Sequence, residues 1–267
     1  MTTLVKRLTF SSLFVALALL TIFAAPRWIF ILVVEAFCLV GFHEFLALIE
    51  KKGVVVHKLL AMTLAVLIPI LTNWGAEPVL FVLGILLVFV LYFREDLNSQ
   101  VFGSVSMMTF GLVYVVWFFS HLIKMHDLIH GSSWVFYTIL LVKAGDAGAY
   151  FVGTKYGTSK LAKHISPNKS IEGAWGGLAT TLVLSLLSGF YLKNVFWGHL
   201  FILGILVSVI AQIGDLVESL MKRDVGVKDS GVIPGLGGVL DIMDSLLLTV
   251  PFVYYYVVFF LGFQSAH

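Results

Sequence analysis

The chain has 267 residues, 60% of them hydrophobic and 12% charged, with a mean hydropathy of +1.01 and a formal net charge of +2. A water-soluble domain averages about 25% charged residues and is under half apolar. No soluble fold could cover this much apolar surface, so lipid is the solvent for most of it. The near-neutral balance gives a nucleic-acid partner no support. The single cysteine, Cys38, lies in an apolar run and excludes an intramolecular disulfide.

A membrane span needs roughly 20 mostly apolar residues. In chain order, candidate spans lie near residues 8–25, 28–49, 59–73, 78–93, 102–123, 133–153, 174–192, 196–220 and 239–263. The third and fourth are short for a full crossing and could be tilted, merged or re-entrant. The expected fold class is all-α: a polytopic membrane protein with about nine transmembrane helices. Lys6 and Arg7, an apolar stretch and then Phe23 to Pro26 have the outline of a signal peptide. They read instead as the first span, because the rest of the chain is membrane-embedded too. There is no internal repeat and no long linker. Residues 1–130 are read as N-terminal membrane helices forming an anchor and lipid entrance, and 131–267 as catalytic membrane helices with cytoplasmic loops.

The loops orient the chain. With the N-terminus inside, thirteen of the seventeen Lys and Arg residues face the cytoplasm, among them Lys51, Lys52, Lys58, Lys169, Lys222, Arg223 and Lys228. Only Arg27, Lys124 and Lys193 face outward, as the positive-inside rule requires. Both long polar loops, about 154–173 and 221–238, then lie on the cytoplasmic side, and the C-terminus lies outside.

The first half has few polar residues in its spans: Glu35, His43 and Glu44. Glu44 closes the second span, where an interfacial carboxylate that snorkels to water is an equally good reading, and His43 alone is more often structural than a ligand. In the sixth span, Lys143 and Asp146 lie three apart on one helix face. Ionisable residues inside spans are expensive and mark function; for Asp146 that reading outweighs a buried ion pair that merely sets helix register. The loop from Gly153 to Gly173 is rich in Gly, Lys, Ser and Thr, groups that suit phosphate oxygens but also an ordinary loop held against anionic lipid.

The segment from Gly214 to Ser245 is the richest in chemistry. Asp215 and Glu218 share a helix face, Ser219 and Lys222 continue that helix end, and Arg223, Lys228 and Asp229 follow. Pro234 to Gly238 form a glycine-rich turn, and Asp241 and Asp244 open the last span. Carboxylates without His or Cys suit a hard cation such as Mg²⁺. Together with Lys and Arg they make the usual kit for phosphoryl or nucleotidyl transfer. Helix-dipole stabilisation explains two acids at a helix N-terminus but not two at a C-terminal end.

These residues resemble the signature of phosphatidate cytidylyltransferases, also called CDP-diacylglycerol synthases: S-x-x-K-R-x(4)-K-D-x-[GSA]-x(2)-[LIF]-[PG]-x-H-G-G-x-x-D-R-x-D. Ser219, Lys222, Arg223, Lys228, Asp229, Gly231, Ile233, Pro234, Gly237, Gly238, Asp241 and Asp244 carry it. Asp146, Gly148, Ala149, Tyr150, Ser166, Pro167, Lys169 and Gly173 extend it. Leu236 stands where the signature has His, Ile242 where it has Arg, and the turn before Pro234 is one residue short. The resemblance implies that CTP and phosphatidic acid give CDP-diacylglycerol and pyrophosphate, for phospholipid biosynthesis. It implies catalytic roles for Asp215, Lys222, Arg223, Lys228, Asp229, Asp241 and Asp244. Substrate would be bound by Asp146, Lys169, Ser166, Ser219, Gly237 and Gly238. Asp215, Glu218, Asp241 and Asp244 would hold Mg²⁺, with a second cation such as K⁺ as a further expectation. It also implies an integral protein of a bacterial inner membrane with a site facing the cytoplasm, and a homodimer. A CTP-dependent lipid alcohol kinase, a cytidylyltransferase for another phospholipid such as an archaeal ether lipid, a transporter and an inactive scaffold are the rival readings.

Overall fold

The computed structural model describes residues 15–72, 75–94, 101–231 and 237–264. The described chain is a helical bundle. In order it forms α1 (15–23), α2 (Arg27–Lys51), α3 (Lys58–Leu71), α4 (Glu77–Arg94), α5 (Val101–His126), α6 (Gly131–Tyr156), α7 (Ile171–Leu187), α8 (Trp197–Asp224) and α9 (Val239–Phe260). Six of these, α2 and α5 to α9, are long and apolar enough to cross a membrane, α7 through a further turn to Phe190. Among the described residues length and composition thus support six spans, and the expected count of about nine is not confirmed. The 14 residues of α3 reach only about 21 Å, short of the roughly 30 Å hydrocarbon core.

Lys6 and Arg7 lie outside the described residues, as do Ile233, Pro234, Gly235 and Leu236. The loop after α6 is not wholly irregular. Lys160–Ala162 (β1) and Ser166–Ser170 (β2) form a small antiparallel hairpin, with Lys160 opposite Ser170 and Ala162 opposite Ser166.

Ionic contacts sort the helix ends into two groups. At one end Arg27 pairs with Asp127 at 2.7 Å and Lys124 pairs with Glu77. At the other, Lys52 at the close of α2 pairs with Asp224 at the close of α8, and Lys58 meets Glu50 at 2.9 Å. Residues expected outside thus share one end, and residues expected inside share the opposite end.

One apolar core runs through both halves of the chain, and α9 packs on α2, α5 and α8. Small residues let α6 and α7 approach closely: a methyl group at Gly148 would come within 2.2 Å of Thr180 Oγ1. α8 ends in a left-handed glycine, Gly226 at φ +75°, with the Val227 N–H donating to Lys222 O at 3.0 Å. That stop sets Lys222 and Arg223 in the last helical turn.

Candidate active site

The polar groups gather where α2, α6 and α8 end and α7 and α9 begin. On α8 the expected acids part company. Asp215 faces Lys169 of β2, whose Nζ lies 2.6 Å from Asp215 Oδ2, an ion contact without hydrogen-bond alignment. Ser219 Oγ donates to Asp215 Oδ1 at 3.4 Å, one helical turn on. Glu218 is fully buried, and its nearest cation is Lys222 Nζ at 2.5 Å. Lys222 also pairs with Asp241 of α9, so this lysine sits between two carboxylates that flank it from different helices.

Asp241 closes the first turn of α9. Its Oδ2 accepts from Gly238 N at 2.6 Å, Ser230 N at 2.9 Å and Ser230 Oγ at 2.9 Å. The helix start is held a second time by Glu44 of α2, which accepts from Val239 N at 3.0 Å, Leu240 N at 2.8 Å and Ser230 Oγ at 2.8 Å. Free N–H groups at a helix start must find acceptors, and two carboxylates take three of them here. Glu44 is therefore a structural acceptor rather than a snorkelling carboxylate, and His43 beside it is exposed.

A second acid group lies deeper. Asp244 is one turn beyond Asp241, and Ser245 Oγ donates to Asp146 Oδ2 at 3.1 Å. Lys143 Nζ donates to Ile242 O at 2.9 Å and to Ser245 Oγ at 3.3 Å, and stands 3.6 Å from Asp146 Oδ2. Asp146, Asp215 and Asp244 are within electrostatic reach of one another. At 1.5 Å per residue, Asp146 and Asp215 sit roughly 14–15 Å below the ends of their helices. Arg223, in the last turn of α8, and Lys228 and Asp229, in the segment after it, are exposed. Arg223 donates to Ile165 O at 3.2 Å and Val227 O at 3.3 Å, which ties the end of α8 to the hairpin turn.

The predicted residues thus separate into groups. Asp146, Lys169, Asp215 and Asp244 come together. Glu218, Lys222, Asp241, Gly237 and Gly238 form the framework of the α9 start. Ser166 is on β2, half-buried, with no side-chain bond to either group among the described residues. Glu35 is buried in α2 without a hydrogen-bond partner among the described residues and does not join the site. Sequence reasoning missed Ser230, Ser245, the acceptor role of Glu44, and Tyr114. Tyr114 lies in a π-helical stretch of α5, Leu112–Trp117, buried with its hydroxyl unpartnered among the described residues and within reach of Asp215, Glu218 and Asp244. Ser230 and Ser245 each adjoin a named acid or signature glycine, a signal that could have raised them. Tyr114 sits in an apolar run and gave none.

No three His, Cys, Asp or Glu side chains among the described residues converge as a ready-made metal cage. Mg²⁺ at phosphate-transfer sites commonly takes one or two carboxylates and completes its shell with water and substrate phosphates. The all-oxygen set of Asp215 and Asp244, with Asp146 beside them, fits that demand. Glu218 and Asp241, the other two expected ligands, are engaged by Lys222 and by the start of α9.

An acidic cluster set below the helix ends, inside a bundle with six helices long and apolar enough to cross a membrane, marks an integral membrane protein. The profile of the cytidylyltransferase family matches residues 5–260, and the chain belongs to that family. It is 36% identical to the phosphatidate cytidylyltransferase of Bacillus subtilis over 187 residues, covering 69% of this chain and 68% of that one. It is 32% identical to the enzyme of that name from Synechocystis sp. over 268 residues, covering 88% and 90% of the two chains. With that of Haemophilus influenzae it shares 46% identity over 142 residues, 51% of this chain and 49% of the other.

Proposed function

We propose that this protein transfers CMP from CTP to phosphatidic acid, giving CDP-diacylglycerol and pyrophosphate. The observation that carries the reading is the cluster of Asp146, Asp215 and Asp244 beside Lys143 and Lys169, recessed in a membrane bundle. A phosphate monoester has a second pKa near 6, so at neutral pH the lipid phosphate is largely dianionic and attacks without a dedicated base. Its oxygen forms a bond to the α-phosphorus of CTP, the α–β bridging bond breaks, and pyrophosphate leaves with the electron pair.

The difficulty is bringing two polyanions together, so the site must neutralise charge. Bound Mg²⁺ would supply that neutralisation across the phosphates, held by Asp215 and Asp244 with Asp146 in support. Lys169, paired with Asp215, is placed to move onto a phosphate oxygen. Arg223 and Lys228, exposed at and just beyond the end of α8, hold the triphosphate tail. Lys222 serves differently from expectation: flanked by Glu218 and Asp241, it fixes the carboxylates rather than clamping substrate. The site would face the cytoplasm, where CTP is found, because its end of the bundle holds most of the lysines and arginines. The recess suits a lipid phosphate that enters sideways from the membrane.

The test uses purified protein in detergent with CTP labelled at the α-phosphate, phosphatidic acid and Mg²⁺. Label should pass to the lipid phase only with Mg²⁺ and phosphatidic acid present, with stoichiometric pyrophosphate release. No α-label in the lipid, with label transferred from γ-labelled CTP in a parallel assay, would establish a CTP-dependent kinase and overturn the reading.

A further inference from the structure

We infer that Glu44, on α2 in the first half of the chain, is a positioning residue for the acidic site: its carboxylate is built into the start of α9 and sets Asp241 and Asp244. Three donors converge on it: the N–H groups of Val239 and Leu240 and the hydroxyl of Ser230, all at 2.8–3.0 Å. Ser230 Oγ lies 2.8 Å from Glu44 Oε2 and 2.9 Å from Asp241 Oδ2, so its single proton is shared between the carboxylates of α2 and α9.

At two positions beside Glu44 the chain has no room for a side chain. A methyl group at Gly231 would lie 2.4 Å from Glu44 Oε1, and one at Gly238 would lie 2.3 Å from Glu44 Oε2. Two glycines of the C-terminal segment are thus shaped around a carboxylate supplied by the N-terminal half. The same contacts occupy the N–H groups that a helix start would otherwise offer to an anion. The start of α9 therefore serves to orient its acids, and substrate phosphates are left to the cations and to Lys169.

Positioning groups act on the reacting geometry, and small displacements of it cost rate rather than affinity. The kinetic arm of the test rests on the cytidylyltransferase reading; a second arm does not. In the first, Glu44→Gln keeps the side-chain volume but replaces the charged acceptor. It should lower kcat about tenfold, with the KM for CTP within about twofold, and lower the melting temperature, because three donors lose a charged acceptor, while the protein stays folded at the assay temperature. Glu44→Asp, which restores the charge, should recover part of the rate. In the second arm Ser230→Cys supplies a thiol beside Glu44, and the native thiol Cys38 is fully buried. Adding Glu44→Gln should speed maleimide labelling of that thiol several-fold in the full-length protein, whatever reaction the protein catalyses. Unchanged kcat in Glu44→Gln, or unchanged labelling, overturns the inference. So does a fall in the KM for CTP, because it would mean that Glu44 blocks an anion site that substrate must empty. If wild-type protein makes no labelled lipid, the functional reading fails and the labelling alone decides the role of Glu44.

Discussion

Gly214 of α8 meets Asp244 of α9 backbone to backbone: a methyl group at Gly214 would lie 2.8 Å from the Asp244 carbonyl oxygen. The next residue along α8 is Asp215, so this contact sets how close the two acids approach. The obstacle is backbone, which cannot swing aside as a long side chain can. Gly214→Ala should therefore push the helices apart, costing about 1–3 kcal/mol of stability and about a hundredfold in turnover. Thermal unfolding and the labelled-CTP assay would measure the two effects separately. Unchanged turnover would show that the Asp215–Asp244 spacing is not critical.

The two acids of α9 should respond differently to amide substitution. Asp244 faces the like charges of Asp215 and Asp146, partly offset by Lys143, so Asp244→Asn relieves repulsion and should leave stability equal or raised while activity falls about a hundredfold or more. Asp241 accepts from Ser230 and Gly238 and pairs with Lys222. Asp241→Asn should cost about 1–3 kcal/mol of stability as those donors lose a charged acceptor. Melting curves of the two variants under one set of conditions would show whether the order holds.

Lys222 is the nearest cation to Glu218, whose side chain is fully buried. Lys222→Met would strand that carboxylate, and breaking a buried pair costs about 3–5 kcal/mol. Adding Glu218→Gln should return the part of the loss that comes from Glu218, leaving the part that comes from Asp241, the second partner of Lys222. If the double variant stays as unstable as the single one, the pair is not coupled as the structure indicates.

Lys228 is exposed and makes no ion pair among the described residues, while Arg223 holds only backbone oxygens. Neither should matter much to stability, and surface changes of this kind stay within about 0.5 kcal/mol. A charge-assisted contact to phosphate is worth about 1.5–3 kcal/mol. Lys228→Ala should accordingly raise the KM for CTP about tenfold or more, and steady-state kinetics at saturating phosphatidic acid would test it.

Composition and period carried much of this protein. An apolar content of 60% with 12% charge demands lipid and helices, because every backbone polar group in hydrocarbon must be satisfied within its own segment. The lysine and arginine bias divided the helix ends into the two groups that Arg27–Asp127 and Lys52–Asp224 later joined. The acids and cations of α8 and α9 were recognisable in order along the chain. The number of spans was not, because an apolar run such as Lys58–Leu71 reads alike whether it crosses or only reaches partway.

What each acid does was decided by tertiary structure alone. Asp215 and Glu218, three apart, point about 60° away from each other around the helix axis. That divergence is small enough to read as one face and large enough to meet different neighbours, Lys169 for one and Lys222 for the other. Glu44 and Val239 are far apart in sequence, and no local pattern announces that one will hold the other. Periodicity says which side chains leave a helix together; only the packing of α2 against α9 says what they meet.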